Sequence, residues 1–232
     1  MKIPILSYHS ISDETCPMSL NLREFEKHLI FLKKNNYKSI NFNEINSLKK
    51  KQCIITFDDG YKDLIINALP LLKKYDFKAI CYIVANKVGK TNVWDFKNDL
   101  IIKKELMSIF DIQEWLKSGM SIGSHSFDHL DLTNLVKKDM KFQLSKSKFF
   151  LEDLLSTEIQ SFCYPYGKYN KDVILEVKKE YKNAVSTNRS RYNTIKHSEF
   201  LVPRIDMGKK LSSFKLYLKI QTIYEDIKYN EI

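Results

Sequence analysis

Cys53-Ile54-Ile55-Thr56-Phe57-Asp58-Asp59-Gly60-Tyr61 is the stretch whose reading decides the fold. Its first five residues are apolar, β-branched or aromatic, the composition of a buried strand. It then ends in two adjacent carboxylates and a glycine. Neighbouring residues on a strand point to opposite faces. Asp58 and Asp59 therefore reach one site only if the chain leaves the pleat, and Gly60 permits such a turn. Two carboxylates at such a point can divide labour, one binding a metal and the other accepting a proton. A lone Asp-Asp-Gly is more often a solvated turn, and the histidines described below shift that balance.

Outward from this stretch, strands and helices alternate. Residues 3–8 read as a strand followed by His9. Residues 21–36 read as a helix, with Leu22, Phe25, Leu29 and Leu32 spaced by three and four, Asn21 as cap and Glu24 completing a capping box. A weaker helix spans 42–50. A further helix spans 61–75, with a kink expected at Pro70. Residues 79–84 form a third strand, and 85–99 a long polar loop carrying Trp94 and Asp95, the kind of loop that is often functional. A short helix at 112–118 stops at Gly119. The fourth strand, 120–124, runs into His125-Ser126-Phe127-Asp128-His129. Thr133 is expected to cap a long helix reaching Leu155. A fifth strand, 161–164, ends in Pro165-Tyr166-Gly167, and a helix follows at 171–181. Residues 183–187 and 200–205 supply the last two strands, with Arg204 and Asp206 at the end of the second. A helical tail spans 212–228.

This alternation implies parallel strands in βαβ units. Chemically capable residues follow most of the strands, which favours a distorted (β/α)7 barrel over an open doubly wound sheet, because a barrel gathers all strand C-termini around one mouth. The expected fold is α/β, with residues 1–232 in a single domain.

With 232 residues, 44% of them hydrophobic, the chain can bury a sizeable core. Its 38 Lys and Arg against 28 Asp and Glu give a net charge of +10, which favours anionic partners such as phosphate-linked saccharides or, through peripheral contact, an anionic membrane surface. No basic block or nucleic-acid motif is present, so nucleic acid is not an expected partner. The four cysteines form no CxxC pair, and Cys53 and Cys81 sit inside apolar runs, the pattern of buried thiols in a reducing compartment. The N-terminal apolar run is too short for a signal peptide and no segment has membrane-span length; the expected location is cytoplasmic.

His125 and His129 are four apart, close enough to ligate one ion if the segment turns helically. With Asp59 they make a two-His, one-carboxylate set, which leaves positions open for water and substrate. At this point a family resemblance is plain. Thr56-Phe57-Asp58-Asp59-Gly60 and His125-Ser126-Phe127-Asp128-His129 resemble the first two motifs of the polysaccharide deacetylases, the NodB-homology or carbohydrate esterase family 4 enzymes, and Tyr164-Pro165-Tyr166-Gly167 resembles the third. The resemblance implies a distorted barrel, a divalent metal, usually zinc, on Asp59, His125 and His129, and Asp58 as general base. It also implies an oxyanion hole that uses the backbone N–H of Tyr166.

Two departures stand out. Cys163 occupies the place of an arginine in the usual third motif, and no histidine follows His197 to act as the usual acid. Tyr8-His9-Ser10-Ile11, however, resembles the start of a circularly permuted subgroup, the poly-N-acetylglucosamine deacetylases, which implies His9 as general acid. Position agrees: His28 lies within a helix, and His197 precedes a strand, the face opposite a barrel's mouth. Arg204-Ile205-Asp206 resembles the fourth motif of that subgroup, implying that Asp206 holds and charges His9 while Arg204 pairs with Asp58. Pro165, Tyr166, Trp94, Asp95 and Tyr169 are expected sugar contacts. The expected function is removal of N-acetyl groups from an amino-sugar-containing saccharide. The alternatives are an O-acetyl ester or non-sugar amide as substrate, or a catalytically silent glycan-binding barrel.

Overall fold

The structure is a computed structural model that describes residues 2–45, 51–95, 100, 102–208 and 210–228. Its central strands, numbered in chain order, are β1 (Ile5–Tyr8), β2 (Tyr37–Ser39), β3 (Lys51–Phe57), β4 (Ile80–Ile83), β5 (Ser121–Ser124), β6 (Ser161–Cys163), β7 (Asn183–Val185) and β8 (Ile205–Asp206). Seven of them follow the spatial order β7, β6, β5, β4, β3, β1, β8, every pair parallel, and β2 pairs with the start of β3. The helices between and after them are α1 (Leu22–Lys34), α2 (Leu69–Tyr75), α3 (Ile109–Lys117), α4 (Lys137–Leu155), α5 (Lys171–Glu180), α6 (Ser213–Gln221) and α7 (Tyr224–Lys228).

The sheet curls because one short segment touches both of its margins. Val202 exchanges backbone hydrogen bonds with Ala184 and Ser186 beside β7, at 3.0 and 2.9 Å. Three residues later Ile205 and Asp206 pair with Leu6 and Ser7 of β1. The expected distorted barrel is therefore present, but its last strand is shorter and later than 200–205. Pro203 has no N–H to give to a ladder, and the chain uses that point to cross from one margin to the other.

The period of two along β3 sorts the core. Cys53, Ile55 and Phe57 pack against the helical layer, whereas Ile54 lies inside the barrel with Ile5, Ile80, Tyr82 and Val185. Tyr82 crosses that interior to hydrogen-bond Ser161 Oγ at 2.8 Å. It can do so because residue 123 is glycine: a Cβ there would stand 2.4 Å from the Tyr82 ring.

Several local expectations are corrected. Asn21 caps α1 by accepting the Arg23 N–H, but Glu24 is buried and pairs with Lys27 instead of closing a capping box. The irregularity expected at Pro70 lies before it, in a wide π-type turn over Leu64–Ala68; Pro70 itself sits in the first turn of α2, where its missing N–H is not needed. Thr133 belongs to a separate 3₁₀ turn capped by Asp131, so α4 starts only at Lys137. The weak helix at 42–50 is a 3₁₀ turn, Phe42–Glu44, and its remainder from 46 to 50 lies outside the described residues. Of the loop expected at 85–99, the described part contains two 3₁₀ turns, Ala85–Lys87 and Val93–Asp95, and 96–99 lie outside the described residues. The helical tail divides into α6 and α7. Among the described residues no helix is long and apolar enough to cross a membrane.

Candidate active site

Alternation along β3 aims Thr56 and then Asp58 into the barrel, so Asp59 should point away. It does not, because its own backbone is left-handed, with φ of 72°. The turn thus begins at Asp59 itself, one residue before the glycine, and both carboxylates enter one cavity.

The two histidines converge by a different device from the one their spacing suggests. Residues 125–130 form no helix. Ser126 and His129 instead adopt left-handed φ values of 64° and 61°, and the His129 N–H donates to Ser126 Oγ at 3.0 Å. His125 Nδ1 donates to the Cys163 carbonyl at 2.8 Å, which turns Nε2 inward as the bare nitrogen. The result is a triangle of donors: His125 Nε2 to His129 Nε2 is 3.2 Å, and Asp59 Oδ1 lies 3.5 and 3.4 Å from them. A tetrahedral ion with bonds of about 2.1 Å sets its ligands about 3.4 Å apart, so these residues fit a divalent metal. Burial pushes the His125 pKa down to about 4, and burial, reinforced by His125, pushes His129 well below its usual value. Both rings are thereby held neutral, the state that ligates. Trp94 stacks on His129 with centroids 4.6 Å apart, and Tyr166 meets the same ring edge-on at 4.6 Å.

A second donor group, Asp58, His125 and Cys163, lies alongside. It is the poorer metal site. Burial keeps the Cys163 thiol protonated by raising its pKa far above the usual value, and Asp58 is already engaged. Arg204 Nη1 donates to Asp58 Oδ1 at 2.7 Å and Nη2 to Oδ2 at 2.8 Å. Burial alone would raise the Asp58 pKa, but the Arg204 charge and its two hydrogen bonds, with His9 and His125, hold it far below the usual carboxylate range. The guanidinium also lies 3.4 Å from Cys163 Sγ. An arginine just before the last strand thus fills the space beside the residue that stands where the family motif usually has one.

His9 Nε2 lies 3.9 Å from Asp58 Oδ2, with 29% of the His9 side-chain surface still accessible. Its pKa is lowered, chiefly by burial and then by Arg204, against the raising influence of Asp58 and Asp206. Asp206 acts on His9 only through space: its Oδ1 accepts the Gly208 N–H at 3.0 Å, and among the described residues no hydrogen bond joins it to His9. Of the other histidines, His28 is buried with Nδ1 3.1 Å from the Tyr8 hydroxyl. His197 is half-buried, stacked on Tyr192 rather than lying free at the surface.

These groups line a cavity of about 330 Å³. Of the expected sugar contacts, Trp94 and Tyr166 are on its wall. Pro165 is buried beneath its turn, and Tyr169 packs on Tyr164 and bonds Asn188; neither is among the residues lining the cavity. Asp95 ends a 3₁₀ turn, and its side chain lies outside the described residues. Sequence reasoning missed Ser7, Met18, Thr187 and Arg189, which also line the wall. Thr187 and Arg189 follow a strand, which was a usable signal; Met18 gave none.

The imidazole pair, the two carboxylates and His9 thus meet in one cavity at the strand C-terminal ends, the place where parallel barrels carry their sites. The chain belongs to the polysaccharide deacetylase family, whose profile matches residues 45–184. That span contains Asp58, Asp59, His125, His129 and Tyr166, while His9, Arg204 and Asp206 lie outside it. The chain is 30% identical over 194 residues to the Bacillus subtilis (strain 168) protein YxkH, whose name carries the same family, covering 80% of this chain and 64% of that protein's length. It is 27% identical over 207 residues to a poly-beta-1,6-N-acetyl-D-glucosamine N-deacetylase of Staphylococcus aureus (strain MRSA252), covering 85% of this chain and 71% of the relative. The Streptococcus pyogenes deacetylase PplD, solved in complex with acetate, superposes with a TM-score of 0.83 at 24% identity over 95% of this chain and 99% of its own. IcaB from Ammonifex degensii does so with a TM-score of 0.77 at 20% identity, over 88% and 91%. These two structures share the fold.

Proposed function

We propose that the protein is a metal-dependent hydrolase that removes N-acetyl groups from an amino-sugar-containing saccharide. The observation that carries this reading is the placement of Asp58 and His9, two proton-transfer groups 3.9 Å apart, beside the donor triangle of Asp59, His125 and His129. These three residues would hold the ion, and the neutral two-His, one-carboxylate set suits zinc. A divalent ion bound there supplies Lewis acidity to the scissile carbonyl and makes the attacking water acidic.

The chain's own residues do the rest. Asp58 accepts the proton of the attacking water at a carboxylate oxygen; each oxygen carries two lone pairs, so the bonds from Arg204 leave capacity for it. Arg204 fixes the carboxylate plane and keeps it ionised. Tyr166, on the cavity wall, offers its main-chain N–H to the developing oxyanion. Protonated His9 donates to the departing amine, which is a poor leaving group until it gains a proton. That requirement favours an amide over an O-acetyl ester as the substrate. The charges at the mouth are largely paired within the protein, Arg204 with Asp58 and Arg189 with Glu225. This pairing favours a neutral acetamido sugar over the phosphate-linked saccharide that the net charge suggested. Acetate release from a panel of acetamido sugars and matched acetyl esters, run with elemental analysis of the protein, tests the reading. Release from the esters alone would overturn it.

A further inference from the structure

One wall of the cavity takes no part in the chemistry just described. Arg189 lies on it with Thr187, in the loop that follows β7. In the sheet order β7 stands apart from β3 and β5, whose ends carry the metal donors, with β6 between them on one side and β8 and β1 on the other. A ligand group that meets Arg189 thus approaches the cavity at a different strand end from a group held over the donor triangle.

The guanidinium is held from behind in a fork. Glu225 of α7 accepts Nε–H at 3.1 Å and an Nη2 hydrogen at 3.2 Å. Glu225 is 0% exposed, whereas 24% of the Arg189 side-chain surface remains accessible. Lys219 of α6 approaches the same carboxylate at 3.3 Å. The next residue, Asp226, accepts the Arg191 N–H at 2.9 Å and the Ser190 hydroxyl at 3.1 Å. Two consecutive acids of one short helix thus grip the loop both at Arg189 and just after it. Desolvating a carboxylate completely is costly, and fixing a surface loop does not require it. A carboxylate fixed in this way sets the plane of the guanidinium N–H donors. Because Glu225 offsets the charge, Arg189 presents directional donors more than net field, which suits the hydroxyl, ring and carbonyl oxygens of a sugar.

We infer that Arg189 is a substrate-binding residue for the sugar unit adjoining the one that loses its acetyl group, and that Glu225 and Asp226 position it. The inference rests on the saccharide reading above. Calorimetric binding of a tetramer of N-acetylglucosamine to the full chain tests it, with steady-state kinetics alongside. Arg189→Met leaves Glu225 with Lys219 as a partner, and Arg189→Lys keeps the cation but loses the fork; thermal melts confirm that each variant is folded. Losing the guanidinium's hydrogen bonds to sugar oxygens weakens binding roughly tenfold. Arg189→Met should raise the tetramer Kd and KM by about that factor with kcat retained, and Arg189→Lys should fall between it and the wild type. Tetramer affinity equal to wild type in both variants, or a loss confined to kcat, overturns the inference. Normal tetramer binding by the wild type without acetate release would overturn the deacetylase reading, and a raised Kd in the Arg189 variants would then still assign Arg189 to saccharide binding.

Discussion

Arg204 and Asp58 face each other through two parallel hydrogen bonds of 2.7 and 2.8 Å, with almost no solvent contact on either side chain. Such a pair is costly to break from one side, since the survivor is a buried charge without a partner. Arg204→Met should therefore lower unfolding free energy by about 3–5 kcal/mol. Adding Asp58→Asn removes the stranded charge and should recover part of the loss. Urea denaturation of the two variants checks this; a double variant less stable than the single one would show that the pair is not the relevant unit.

Asp58→Asn on its own should reduce turnover by about 100-fold or more, because the amide keeps the shape but accepts no proton from water. Metal content should be retained, since the donor triangle uses Asp59. Loss of metal together with activity would show that the two adjacent carboxylates do not divide their roles as described.

His125→Ala and His129→Ala should each strip most of the metal, since each removes one of three protein donors. Elemental analysis after dialysis gives the occupancy. Full occupancy in both would remove these residues as ligands and bring the group containing Cys163 back into consideration.

His9→Ala should keep metal and fold yet lose about 100-fold or more of its rate on an amide. On an activated aryl ester the loss should be much smaller, because that leaving group departs without a proton. The ratio of the two losses is the measurement. Equal losses would give His9 a positional role, and no loss on the amide would remove it from the mechanism.

His28 makes a pH prediction away from the donor triangle. Burial lowers its pKa to about 4, whereas an unfolded histidine titrates near 6.5. Between these values the unfolded chain binds a proton that the native state refuses. Its stabilising contribution is therefore complete above about pH 6.5 and is lost as pH falls towards about 4, on the order of 3 kcal/mol in all. His28→Gln should lower stability near neutrality through the lost bond to Tyr8, but should flatten the acid limb of the stability curve. A limb as steep as that of the wild type would assign the acid sensitivity elsewhere.

Much of this was legible in the sequence, for identifiable reasons. The strands around Asp58 and His125 are short apolar runs ending in polar residues, and in a parallel barrel that punctuation marks the mouth. The family motifs supplied the donors, and the position of His9 after a strand made it a candidate. What could not be read was backbone handedness. Asp59, His129 and Tyr166 all adopt left-handed conformations, which side-chain periodicity does not encode and which tertiary packing must enforce. Tyr169 had the composition of a sugar contact, but its ring is consumed by Tyr164. Arg189 and Glu225 are far apart in sequence, and neither belongs to a motif, so their fork exists only once the tail has packed. Thr133 looked like the better cap, but Asp131 took that place two residues earlier and left a 3₁₀ turn between cap and helix.

The crossing at residues 202–206 ties two failures into one. Val202 is stitched to one margin of the sheet and Ile205 to the other, and the residue between Pro203 and Ile205 carries the guanidinium that seats on Asp58. Whenever this seam opens, even briefly, the barrel parts and the carboxylate loses its partner in the same event. The amides of Val202, Arg204 and Met207 should therefore exchange with deuterium as one cooperative group, and a protease that catches the seam open should end activity at the first cut, before any global unfolding is visible.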